Sequence, residues 1–280
     1  MVAHGIKSVV KLEDIPVADA AQFAVARPGW SVTLSSTYRK DYLLLRSRPC
    51  PATDREAMVS IYCSRGDMGR ELSQLETASR EDSQRAATLL EIPQCCAAAF
   101  AADFDTARRD QDTVNDDACR RVLATTSPSL PGAWQCNPLA DTELLGFYPC
   151  SCQCPSALQR AEQVLSRLDT AQQQHARQTL RRPALYFRLP FFATMQGTWQ
   201  DDVLRFTDFG INAFGHPLAR TAQALLAAHL QPWLDGSDGM VVRDGALRLY
   251  RGMREIKALD IVGDHAPVVT CWTDDSEKKP

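Results

Sequence analysis

A chain of 280 residues with 45% hydrophobic and 23% charged residues is long enough for one large domain or two small ones, and can bury a core without disulfides or metal. A formal net charge of -3 gives no electrostatic case for nucleic acid. The apolar runs fall well short of the ~20 residues of a membrane span. The expected partners are a small molecule or another protein, with no nucleic acid and no membrane.

The first residues, Met1-Val-Ala-His-Gly-Ile-Lys7, hold no long apolar stretch. No secretory signal is read there, and the expected compartment is the cytoplasm. Ten cysteines are too few for a disulfide scaffold. In a reducing compartment, clustered cysteines point to metal binding or redox chemistry.

Residues 1–66 read as short strands joined by turns. The candidates are Ser8–Leu12, Trp30–Leu34, Asp41–Arg46 and Met58–Cys63, each bounded by Pro, Gly, Ser or Asp. From Met68 to Leu90 apolar residues recur at helical spacing. Ile92-Pro93 ends that helix, because the residue before proline disfavours helical angles. Pro93 then opens a short helix carrying Cys95, Cys96, Ala99, Phe100 and Phe104. A third helix is expected from Asp105 to Ala124. Residues 125–143, with Pro128, Pro131-Gly132 and Pro138, read as a loop and as the one linker candidate.

Pro155 opens a helix expected to reach Arg181. Strands follow at Ala184–Leu189 and Val203–Phe206, paired across a loop containing Gly197. Pro217–Gln231 reads as a helix. Asp244-Gly245 joins Met240–Arg243 to Ala246–Tyr250 in a hairpin, since Asp-Gly suits a two-residue turn. Val268–Trp272 adds a last strand, and 274–280 reads as a disordered tail. No internal repeat is present. The expected fold class is α+β in a single domain, 1–280, with a small N-terminal sheet (1–66), a helical middle carrying the cysteines (67–182) and a mixed C-terminal part (183–273).

Two cysteine nodes carry the chemistry. One is Ile92-Pro-Gln-Cys-Cys-Ala-Ala-Ala-Phe100. The other is Phe147-Tyr-Pro-Cys-Ser-Cys-Gln-Cys-Pro-Ser156. Both set cysteines at a helix start, where the oriented amides favour the thiolate, the form that binds metal. The expected ligand set is Cys95, Cys96, Cys150 and Cys154, holding an iron–sulfur cluster of the 4Fe-4S kind or, alternatively, zinc. Cys152 is the alternate ligand or a spare thiol for exchange. Cys50, Cys63, Cys119, Cys136 and Cys271 are dispersed and read as packed thiols.

The two nodes together resemble an uncharacterised prokaryotic family of unknown function. Its motif is approximately Gly-Tyr-Pro-x-Cys-Cys followed by Pro-Cys-Ser-x-x-Cys. Here Ile92 stands where the family tends to have Tyr, and Cys152 is an added cysteine. The resemblance covers about residues 85–230 and implies membership rather than an activity.

Other templates fail. Asp208-Phe-Gly210 echoes a kinase magnesium motif, but the Gly-rich loop and the His-Arg-Asp loop are missing. There is no His-Glu-x-x-His, Gly-x-Ser-x-Gly, Walker loop or Gly-x-Gly-x-x-Gly. The segment Arg205–Pro217 reads as an unusual loop in which Asp208, Asn212 and His216 could face a pocket; Asp208 and His216 are catalytic candidates on that ground, and Cys152 is one as the thiol left over beside four ligands. His175 and His229 fall on apolar helix faces and read as core histidines. The functional expectation is a cysteine-ligated metal or iron–sulfur protein, either an enzyme or a sulfur-handling accessory protein of bacterial metabolism. The alternative is a non-enzymatic interaction protein with a structural zinc site.

Overall fold

The computed structural model describes residues 8–25, 29–41, 46–75, 80–110, 114–139, 144–189, 191–212, 219–260 and 267–273. The chain divides into two compact units, Met1–Thr113 and Val114–Pro280.

The first unit runs β1 (Val9–Pro16), α1 (Val17–Val25), β2 (Ser31–Leu34), β3 (Tyr38–Asp41), β4 (Arg46–Pro49), β5 (Met58–Ser64), α2 (Met68–Leu75), α3 (Arg80–Leu89) and α4 (Gln94–Asp110). Its five strands form one antiparallel sheet built on β5, which pairs with β1 on one edge and with β2 and β3 on the other. Every residue of β5 is buried. Such a run belongs to a strand covered on both faces. Val59, Ile61 and Cys63 pack with Ala20 of α1, while Tyr62 packs with Leu72 of α2 and Ala86 of α3. Burying a side chain such as Ile61 stabilises the fold by about 1.5–3 kcal/mol.

Helix α1 falls in a region expected to hold only strands. Of the strand expected at Asp41–Arg46, Asp41 ends β3 and Arg46 opens β4, and the two are register partners; residues 42–45 lie outside the described residues. Of the single helix expected over 68–90, α2 and α3 are described, and residues 76–79 between them lie outside the described residues. Helix α4 runs unbroken through Asp105, where a new helix was expected to start.

The second unit runs α5 (Val114–Leu123), β6 (Gly132–Ala133), a 3-10 turn (Trp134–Cys136), α6 (Pro155–Leu165), α7 (Thr170–Leu180), β7 (Ala184–Arg188), β8 (Phe191–Gln200), β9 (Val203–Asn212), α8 (Ala219–Leu234), β10 (Gly239–Arg243), β11 (Ala246–Arg251), β12 (Arg254–Asp260), β13 (Val268–Val269) and β14 (Trp272–Thr273). Strands β7 to β12 pair in sequence order, and β13 returns beside β7, giving an antiparallel sheet of seven strands. Leu230 and Leu234 of α8 pack against Leu185, Met195, Leu204, Met240 and Leu249 of that sheet.

This sheet corrects the expected fold class. The described residues hold two antiparallel sheets with roughly equal helix and strand content, and the large sheet is C-terminal; there is no helical middle with a mixed remainder. The expectation missed β8 because Gly197 reads as a loop residue. Gly197 instead sits inside β8 at a bulge, where a Cβ would lie 2.2 Å from the Arg205 carbonyl oxygen. The segment read as an irregular loop from Arg205 is β9 as far as Asn212; residues 213–218 lie outside the described residues.

The helix expected from Pro155 to Arg181 breaks at residues 166–169. Asp169 caps α7 through a reciprocal pair: Gln172 N–H donates to Asp169 Oδ1 at 2.8 Å, and Asp169 N–H donates to Gln172 Oε1 at 3.1 Å. The linker expected at 125–143 is also corrected. Residues 132–139 are buried, with Trp134 fully so. Asn137 Nδ2 donates to the Leu180 carbonyl at 2.7 Å, satisfying a terminal acceptor of α7. His175 and His229 are exposed rather than core residues. The segment 274–280, expected to be a disordered tail, lies outside the described residues.

Candidate metal centre

The first cysteine node is presented by a helix stop and an immediate restart. At the end of α3, Glu91 N–H donates to Thr88 O at 3.0 Å and Ile92 N–H donates to Ala87 O at 2.9 Å, with Glu91 left-handed at φ 55°. These are the two bonds of a Schellman motif, and Pro93 forbids further helix. The Glu91 carboxylate accepts from Ser8 N and Ser8 Oγ at 2.9 and 3.0 Å, which ties the corner to the start of β1. Pro93 O then accepts from Cys96 N and Ala97 N, both at 2.9 Å, and α4 begins. Cys95 and Cys96 are its second and third residues.

The second node is a loop held by the buried 132–136 segment and by α5. Ala133 N–H donates to Cys152 O at 3.0 Å, and Gly132 N–H donates to Cys271 O at 2.8 Å. Gln153 Nε2 donates to Pro131 O at 3.0 Å, and Arg121 Nη1 to Pro149 O at 2.7 Å. The loop ends at Cys154, the N-cap of α6, with Pro155 in the first turn. The Cys154 side chain makes no capping hydrogen bond to its helix. As the N-cap residue, Cys154 stands at the partially positive end of the helix, which favours a thiolate.

The Sγ atoms of Cys95, Cys96, Cys150 and Cys154 all lie within 4.8 Å of one another and could hold a metal ion. Cys95 is exposed, Cys150 half-buried, and Cys96 and Cys154 are buried. The neighbouring sulfurs of Cys95 and Cys96 stand 3.9 Å apart. All ten cysteines are thiols, with none in a disulfide.

Cys152 lies outside this set of four. Its thiol donates to the Thr125 carbonyl at 3.5 Å, and its N–H donates to Thr125 Oγ1 at 3.3 Å. Cys136, read from sequence as a dispersed thiol, belongs to the same neighbourhood. Burial, then the nearby Cys154, Cys152 and Cys150, push its thiol up to about 12, so it stays protonated at neutral pH. No spacing rule reveals it, because the contact depends on the 3-10 turn folding inward.

Asp208 is exposed on β9, opposite Gln196 of β8, and His216 lies outside the described residues. A surface groove runs along β8 and β9, lined by Gln196, Thr198, Arg205, Asp238 and Met253; neither Asp208 nor any cysteine lines it. Arg205, one of its lining residues, donates to Asp238 Oδ1 at 3.1 Å and to the Gly252 carbonyl at 2.6 Å. A second polar cluster lies inside the unit. Buried Asp116 accepts from the Tyr186 hydroxyl and from Leu189 N at 2.6 Å, and Arg120 lies over the Tyr186 ring. It joins α5 to β7. No helix among the described residues is long and apolar enough to cross a membrane. Comparison of the chain with protein families, curated proteins and solved structures gives no match.

Proposed function

We propose that the chain is a metalloprotein whose four thiolates, Cys95, Cys96, Cys150 and Cys154, bind one zinc ion in a closed site. The observation that carries this reading is the sulfur spacing. Around one zinc with bonds of about 2.3 Å, a tetrahedron sets its sulfurs about 3.8 Å apart. The Cys95–Cys96 separation is 3.9 Å, and the upper bound for the whole set is 4.8 Å. In a cubane each thiolate bonds a different iron at an outward corner, so the sulfurs stand roughly 6 Å apart. The spacing therefore favours a single ion over an iron–sulfur cluster.

Four protein sulfurs fill a tetrahedral shell and leave no position for a substrate, the signature of a structural rather than a catalytic zinc. The ion's work is then to fix the two cysteine segments, and the protein acts by binding a partner rather than by turning over a substrate. A reducing compartment, the cytoplasm, suits ten cysteines of which none forms a disulfide. X-ray absorption on the zinc-loaded protein tests the closed site. The expected first shell is four sulfurs at about 2.3 Å. An oxygen or nitrogen in that shell overturns the closed reading in favour of a catalytic site, and metal–metal scattering overturns the single ion.

A further inference from the structure

The same four sulfurs differ sharply in access. Cys95 is exposed, whereas Cys96 is 0% and Cys154 2% accessible. A thiolate that is exposed, lies in the first turn of a helix and sits within reach of a second thiolate combines the properties that mark a cysteine for oxidation by peroxide. The vicinal neighbour is a poor partner for the resulting bond. Adjacent Cα atoms are about 3.8 Å apart across a trans peptide, short of the roughly 4.4 Å at which ordinary disulfides begin. Cys150 and Cys154 carry no such restriction, and their sulfurs lie within 4.8 Å of Cys95.

We propose that Cys95 is a peroxide-oxidation site, and that its oxidation joins it to Cys150 or Cys154 in a disulfide and ejects the metal. The inference rests on the single-ion reading above and assigns that site a regulation. The Cys95 thiolate attacks one oxygen of hydrogen peroxide, the O–O bond breaks, and hydroxide leaves, so the sulfur becomes a sulfenic acid. The thiolate of Cys150 or Cys154 attacks that sulfur, an S–S bond forms, the S–O bond breaks, and a second hydroxide leaves. Two protons from solvent turn the two hydroxides into water. Two electrons pass from the sulfurs to the peroxide. The ion is left with two thiolates and dissociates.

The test titrates reduced, zinc-loaded full-length protein with hydrogen peroxide, reading released zinc with a chromogenic chelator and mapping cysteines by mass spectrometry with a sulfenate trap. The expected result is one equivalent of zinc released per chain, trapped sulfenate at Cys95, and a disulfide from Cys95 to Cys150 or Cys154. Dithiothreitol and added zinc should restore the starting state. Cys50→Ser, which removes a half-buried thiol at the end of β4, should leave the release unchanged. Zinc retained at tenfold excess peroxide, or sulfenate trapped first at Cys96 or Cys154, overturns this inference alone. Reduced protein that binds no zinc before peroxide is added overturns the metal reading and this inference together.

Discussion

Cys95 and Cys96, neighbours in sequence, point their Sγ atoms to within 3.9 Å of each other at the start of α4. That is close to the edge of a zinc–thiolate tetrahedron, about 3.8 Å. Removing either sulfur opens the coordination shell. Cys96→Ala and Cys150→Ala are each expected to weaken zinc binding by more than the ~10–100-fold that outer-shell changes cost. Competition with a chelator of known affinity measures this. Cys63→Ala, which empties a position in the β5 core far from the four sulfurs in sequence, should leave zinc affinity unchanged.

Gly132 precedes Ala133, whose N–H donates to Cys152 O in the second cysteine node. A Cβ on Gly132 would lie 2.7 Å from Trp272 Cζ3 and 2.8 Å from Thr126 Cγ2, and Trp272 is buried. Gly132→Ala must push the Trp272 ring out of place, an overpacking cost of about 1–3 kcal/mol. Urea denaturation of the zinc-loaded protein should show a lowered midpoint with little change in slope.

Tyr186 links stability to pH. Burial, then the neighbouring Cys119 and Asp116, hold its hydroxyl well above the usual tyrosine range. A raised folded-state value favours the protonated form in the native protein. Its contribution is therefore complete below the unfolded value of about 10 and is lost as pH rises beyond it. Tyr186→Phe removes the hydrogen bond to buried Asp116 and should cost about 1–3 kcal/mol at neutral pH. It should also flatten the fall in stability above pH about 10. Denaturation midpoints of the two proteins at neutral and alkaline pH decide this.

Asp201 sits at φ 55° in the two-residue turn between β8 and β9, exposed to solvent. A left-handed conformation costs a non-glycine residue about 1–2 kcal/mol, eased for Asp. Asp201→Gly should therefore raise stability by up to about 1 kcal/mol, seen as a higher melting temperature.

Each cysteine node was legible because its determinants are local, whereas the meeting of the two nodes is tertiary. Pro93 and Pro155 announce helix starts, and the thiols sit on them. The Asp244-Gly245 hairpin was legible for the same reason, with φ 54° and 74° at those two residues. The large sheet was not. Gly197 signals a loop by composition, and only its pairing with β9 makes it a strand residue. Buried 132–139 looks like a linker because Pro131-Gly132 is a turn signal, while Gly132 packs against Trp272, 140 residues away in sequence. The break between α6 and α7 was written in the sequence as Asp169-x-x-Gln172, a capping box set inside a stripe that continues at helical spacing on both sides. Cys136 joins the other sulfurs through tertiary folding alone.

The most direct measurement is elemental analysis of protein purified under anaerobic conditions, with acid-labile sulfide assayed on the same sample. A colourless protein with one zinc per chain and no sulfide, whose zinc is lost in Cys96→Ala and Cys150→Ala, is the predicted result. Iron and sulfide in similar amounts in a brown protein, or no bound metal after anaerobic purification and reconstitution with zinc, would contradict the single-ion account.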